Sequence, residues 1–429
     1  MKIVKISKNF KLKDIWQFLL GLVFVLLISY VSEEFIPGRL SMQKKLFVAI
    51  AVVGILGWIY KNRNYIKGKY WSVLCWFCIP FILSSLYTIV ICSISGDSIG
   101  TIKQSITTSL FLVVDFFMVV AISYFFDKRT IIVMTAALIG AYVYVVFLKI
   151  HDTGIANTLE QLVSKGIERN DIGVAVVPLI LYYCYIIFIK SKKIKFGIPL
   201  TIMLLAIMYF CGKRSAILSL AIGLTLIFVV KVFGKHAVLV MKIVSCLTIL
   251  GCCLYVICIH SGVLDVLMLG KGTLSDRYYV WKHFDSIYEI SPTYLGKGFG
   301  FIHRYMVAGL GNWMVNAYGY LHNSILQLYI ETGFYGFCIW IGTYLLLIPY
   351  VAQKKYGKSA CCFTIISIVS MFAMFTVDNT LTYPLYQICL YCSLYSIYHF
   401  EEIEQMRNSK NGINSRFKNK YIQNKMAKT

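Results

Sequence analysis

The chain has 429 residues, of which 59% are apolar and only 14% charged. So little charge could not cover a soluble protein of this length, and the long apolar stretches read as transmembrane helices that satisfy their own backbone hydrogen bonds in lipid. A formal net charge of +23 would suggest nucleic acid in a soluble protein. Here the Lys and Arg lie mostly between apolar spans, so topology explains them and no nucleic-acid partner is expected.

The expected spans, in chain order, are Ile15–Val31, Leu46–Tyr60, Trp71–Ser93, Thr107–Phe126, Ile131–Leu148 and Ile172–Ile189. They continue with Phe196–Cys211, Ser215–Val230, Ala237–His260, Leu321–Val351, Ala360–Val377 and Thr382–Tyr398. The fold class is therefore all-α, a polytopic integral membrane protein of about twelve transmembrane helices. The tenth span is long enough to be broken, and Gly333 and Gly336 sit where a break would fall. The lysine-rich N-terminus before Ile15 resembles a signal peptide, but no small-x-small site follows it, so it reads as an uncleaved anchor. The fourteen cysteines lie in or beside the spans. The Cys75-x-x-Cys78 pair, inside an apolar helix with no second pair nearby, reads as packing rather than a metal or redox site.

Alternate sides of the spans differ twofold in their share of the 42 Lys and Arg. The richer side holds both termini and is expected to be cytoplasmic. One large segment, 261–320, then faces outward, and a basic cytoplasmic tail occupies 401–429. Outside the membrane the chain concentrates its residues in that loop, which is where function is expected.

In the loop, Ser275 reads as an N-cap and Val280, Phe284 and Ile287 recur at helical spacing, suggesting a short amphipathic helix on the membrane surface. Arg277 and Trp281 share a face of it. They form either a cation–π anchor at the interface or, through the guanidinium fork, an anion clamp. The run Leu295-Gly-Lys-Gly-Phe-Gly300 lacks a βαβ context and reads as a tight turn. His322 falls where the loop re-enters the membrane. An interfacial His is commonly a hydrogen-bonded structural residue, but an uncharged imidazole at a cavity mouth could also act as a general base. Lys213 and Arg214 sit in a short outer turn, where cations usually face a cavity or a partner. Asp115 is the clearest carboxylate within a span and a candidate counter-ion, with Asp171 and Asp378 at outer span ends.

The string from Leu295-Gly-Lys-Gly-Phe-Gly through His322-Asn-Ser-Ile-Leu-Gln to Glu331-Thr-Gly-Phe-Tyr-Gly336 resembles the O-antigen polymerase and O-antigen ligase superfamily. Arg277…Trp281 and Gly212-Lys-Arg-Ser215 look like that family's basic elements, and the resemblance spans roughly Gly212 to Pro349. It implies a metal-independent, cofactor-free glycosyltransferase of the multi-span type. The donor and acceptor would be undecaprenyl-pyrophosphate-linked glycans, with membrane lipids and a chain-length regulator as further partners. Arg214 and Arg277 would hold the pyrophosphate and His322 would activate the acceptor hydroxyl. Lys213, Trp281, Asn323 and Glu331 would contact substrate. Polymerase and ligase share this pattern and differ in acceptor. A lipid-linked glycan flippase is the rival of another class, and the absence of an internal repeat argues against it.

Overall fold

The computed structural model describes residues 12–33, 42–62, 73–96, 98–126, 129–164, 166–167, 169–192, 194, 197–265, 273–311, 315–316 and 320–426. The basic N-terminal stretch 1–11 and the basic loop at 63–72 lie outside them, as do the side chains of Ser275 and Asp276. The architecture is all-α, with no strand among the described residues. We label the helices α1 (Leu12–Glu33), α2 (Met42–Asn62), α3 (Ile79–Ile94), α4 (Ile99–Phe126), α5 (Thr130–Thr153), α6 (Ile155–Ser164), α7 (Asn170–Phe188) and α8 (Gly197–Phe210). They continue as α9 (Arg214–Phe233), α10 (Ala237–His260), α11 (Thr273–His283), α12 (Phe301–Val307), α13 (Ser324–Gly342), α14 (Ile348–Tyr356), α15 (Lys358–Phe375) and α16 (Pro384–Met426).

Every expected span falls on a helix. Among the described residues seven helical segments are long and apolar enough to cross a membrane. One of these, Arg214–His260, is divided at Gly234, whose backbone (φ 45°, ψ −102°) cannot continue the helix. The two halves, α9 and α10, pack on each other and on α15. Most of α7 is buried, from Asp171 to Ile186, because α8, α9 and α16 surround it. This is why its sequence is apolar on all sides rather than striped. Shorter α6, α11 and α12 do not cross. The tail does not leave the fold at Glu401. Instead α16 continues to Met426, and Lys190 pairs with Glu401 at 2.5 Å while Lys192 pairs with Glu404 at 3.1 Å.

The break in the tenth span is real and is built from glycine. Gly333 has φ 67° and ψ −174° inside α13, a backbone that residues with a Cβ avoid. Space excludes a side chain as well, since a Cβ there would lie 2.3 Å from the Leu295 carbonyl carbon. Facing it, a Cβ on Gly296 (φ 91°) would lie 2.5 Å from the Gly333 nitrogen. The glycine-rich turn and the kinked helix thus interlock backbone to backbone. The Lys297, Gly298 and Phe334 amides donate to Ile330, Glu331 and Tyr294 carbonyls at 3.0, 2.9 and 2.9 Å. Below the kink, a π-helical turn at Thr343–Leu347 leads into α14. We expect Gly333→Ala to destabilise the protein by roughly 2–4 kcal/mol, read as a lower thermal unfolding temperature in detergent. An unchanged temperature would show that the interlock yields without cost.

Two local expectations are corrected. Helix α11 begins by Thr273, so Ser275 lies inside it and not at its N-cap. The apolar face of α11 packs against protein, because Tyr278, Val280 and Trp281, with Phe284 just beyond its end, are all buried in the core. The periodicity is genuine, but the face it makes is covered by protein. No disulfide forms, and all fourteen cysteines are free.

Candidate functional site

The turn between α15 and α16 carries Asp378, whose side chain is fully buried. Three separate parts of the chain converge on it. From the α8–α9 turn, Lys213 Nζ lies 2.8 Å from Oδ2 and the Ser215 hydroxyl donates to the same oxygen at 2.9 Å. From the end of the outer loop, His322 Nδ1 stands 3.9 Å from Oδ1. From the start of α13, Ser324 donates to the Asp378 carbonyl through its amide and its hydroxyl, at 3.2 and 2.9 Å. Asp378 completes its own shell with the Asn379 amide at 2.9 Å. Burial by itself would raise the Asp378 pKa. His322, the charge and hydrogen bond of Lys213, and the Ser215 hydroxyl outweigh it and hold the carboxyl well below the usual carboxylate range.

Next to this carboxylate, Arg277 reaches over from α11 and donates to the Val377 carbonyl at 2.8 Å. It is half-buried and makes no ion pair among the described residues. Trp281, one turn further along α11, is fully buried and donates to the Leu321 carbonyl at 2.7 Å. Arg277 and Trp281 therefore part company. Each fastens α11 to a different neighbour of the site, and neither acts as an interfacial anchor. Between them they fix the residue before His322 and the residue before Asp378.

His322 has φ 52°, one of two non-glycine residues with a positive φ among those described. His tolerates that conformation better than most residues, and it lets the chain turn from the loop into α13 while the ring stays beside Asp378. Asn323 follows as the helix N-cap. Its Oδ1 accepts from the Leu326 amide at 3.0 Å and its Nδ2 donates to the Tyr255 hydroxyl at 3.1 Å. That hydroxyl in turn donates to the Thr376 carbonyl at 2.6 Å. With both ends of its amide used and no exposure, Asn323 has a structural seat.

Glu331 is also placed away from His322. Its carboxylate accepts from the Ile302 amide at 3.1 Å and from Gln327 at 3.4 Å, so it holds the glycine-rich turn and the start of α12 against the kink. Of the two outer-turn cations, Lys213 is the one that turns inward, whereas Arg214 opens α9 with its side chain exposed. Arg214 makes no ion pair among the described residues. Asp115, which sequence marked as a candidate counter-ion, makes no ion pair among the described residues. Both its oxygens are buried without a hydrogen-bond partner among the described residues. The counter-ion is Asp378, which sequence marked only by its position at a span end. Among the described residues no three His, Cys, Asp or Glu side chains form a metal-ligand set.

The geometry offers an imidazole whose Nδ1 stands 3.9 Å from a buried carboxylate, a half-buried guanidinium nearby, and an exposed arginine at the start of α9. An Asp–His pair leaves Nε2 for a substrate proton, and unpaired guanidinium groups suit an anionic leaving group. Comparison with curated proteins finds no match. The family model described as O-antigen ligase matches residues 199–341, a stretch that includes Lys213, Arg214, Arg277, His322 and Glu331. The chain is thus a multi-pass membrane protein, about a third of which is similar to the O-antigen ligase family.

Proposed function

We propose that the protein is a glycosyltransferase that polymerises undecaprenyl-pyrophosphate-linked oligosaccharide repeat units into surface polysaccharide. It would work at the outer face of the bacterial cytoplasmic membrane, with both termini in the cytoplasm. The observation that carries this reading is the convergence of Arg277, His322 and Lys213 on the Val377–Asp378 turn, inside or facing the matched segment. Support for the orientation comes from the excess of Lys and Arg on the opposite side of the spans.

In the proposed reaction, the acceptor hydroxyl oxygen attacks the anomeric carbon of the donor glycan. The bond from that carbon to the diphosphate oxygen breaks, and its electron pair leaves with the diphosphate. The hydroxyl proton passes to Nε2 of His322, whose imidazolium is stabilised by the Asp378 carboxylate behind it. Arg277 and Arg214 meet the charge that grows on the leaving diphosphate. Lys213 is already matched by Asp378, so its role is to keep that carboxylate ionised and in place. With guanidinium groups to take the leaving charge, the reaction is read as independent of metal.

In the ligase reading the same site transfers polymer to a lipid core, and the description of the matched family favours keeping it. Product distinguishes the two. Purified protein in nanodiscs, given lipid-linked repeat units alone, should yield a ladder of lengthened glycans, and the ladder should persist in excess chelator. No ladder with repeat units, but transfer once lipid core is added, would replace polymerase by ligase. A ladder lost on chelation and restored by a divalent cation would overturn the metal-free reading.

A further inference from the structure

A cavity of about 560 Å³ lies between the α3–α4 turn and α12. Thr101 and Gln104 line one wall, and Lys297, Phe301, Arg304 and Tyr305 the other. Lys297 is exposed and makes no ion pair among the described residues. Arg304 is half-buried, and one nitrogen donates to Ser105 and to the Phe299 carbonyl at 3.1 Å, which aims the fork and leaves further donors. No Asp or Glu lines the cavity among the described residues. The volume lies in the range of small-ligand sites. Amide, hydroxyl and aromatic groups on its walls suit the alternating polar edges and apolar faces of sugar rings.

With no lining carboxylate among the described residues, Lys297 and Arg304 favour an anionic ligand over a neutral sugar, although the buried Glu331 offsets part of the Arg304 charge. A carboxylate- or phosphate-bearing sugar gives Arg304 a charge-assisted bond in the geometry its fork prefers. The ring of His303, in its wall, lies 5.0 Å from that of Tyr320, two residues before His322. We propose that this cleft binds an acidic sugar of the glycan and holds the chain end next to His322. The assignment rests on the polymerase reading for the origin of that glycan, but the binding itself can be tested apart from it.

The experiment uses the full-length protein in phosphatidylcholine nanodiscs, titrated with fluorescent tetragalacturonate and with its neutral counterpart, galactotetraose. Wild type should bind the acidic glycan about tenfold more tightly, the scale of one charge-assisted hydrogen bond. Lys297→Gln, at an exposed side chain that makes no ion pair among the described residues, should remove most of that difference. Ala308→Trp, at the exposed edge of the cleft, should block both glycans, with thermal unfolding checking that each variant is folded. Equal binding of the two glycans by wild type, or acidic binding unaltered in both folded variants, overturns the proposal. Discs containing phosphatidylglycerol should bind the acidic glycan equally well, and displacement by that lipid would assign the cleft to a headgroup and overturn it too. Charge-selective binding without polymer formation would sink the polymerase reading and leave the cleft standing. Polymer formation without charge selectivity would do the reverse.

Discussion

Replacing His322 by Asn should cut turnover by about 10²–10⁴-fold, the usual contribution of a general base, while the protein stays folded in the membrane. Asn is chosen because the position has φ 52°, and Asn is among the residues that accept the left-handed region. An Ala there would confound the lost imidazole with backbone strain. The variant retains a short polar side chain beside Asp378 but cannot accept and carry a proton as imidazole does. The measurement is single-turnover transfer with lipid-linked repeat units, alongside thermal unfolding of the same preparation. Wild-type turnover in a folded His322→Asn variant would remove the base from the mechanism.

Asp378→Asn should have a different signature, because it strikes stability and activity together. The substitution leaves the buried ammonium of Lys213 without its carboxylate, and breaking one side of a buried pair costs about 3–5 kcal/mol. A second change, Lys213→Met, removes the stranded charge, so the double variant should recover most of the stability and none of the activity. The pH dependence follows from the depressed pKa. A carboxyl held below its unfolded value contributes its full stability above that value, near 3.9 in an unfolded chain. The contribution is lost as pH falls toward the lower, folded value. The gap between wild type and Asp378→Asn should therefore be constant through neutral pH and narrow in acid. Thermal unfolding of the three proteins from neutral to acid pH measures it. If the double variant is no more stable than Asp378→Asn alone, the ion pair is not what the aspartate contributes.

Much of this architecture was legible in the sequence because lipid imposes a simple rule. A span must be apolar for its whole length, and each expected span lies on a helix. The break at Gly333 was legible for a related reason, since glycines in an overlong span mark where a helix can afford to stop. The residues that meet at the site were partly legible. Arg277 and His322 stood out as polar groups at the membrane edge, and both touch the Val377–Asp378 turn. Asp378 itself did not stand out. Its partners come from turns far away in the chain, and no local spacing links Lys213 or Ser215 to it. The same limit left Lys213 and Arg214 undistinguished. Adjacent residues at a helix start point in different directions, and only packing decides which one is inside. Trp281, Asn323 and Glu331 were expected as substrate contacts because they sit in the motifs that carry the family resemblance. Their hydrogen bonds go instead to Leu321, Tyr255 and Ile302.

The contact between Gly296 and Gly333 leaves no gap for even a methyl group, so it acts as a weld between the outer loop and the helix beneath it. A welded loop does not lift like a flap. The segment from Tyr294 to Phe299 and the kinked span must shift as one piece or not at all. On the polymerase reading proposed above, a growing glycan would move past this fixed element without lifting it. Its length would be limited by how long the chain end stays bound, with no door to close behind it.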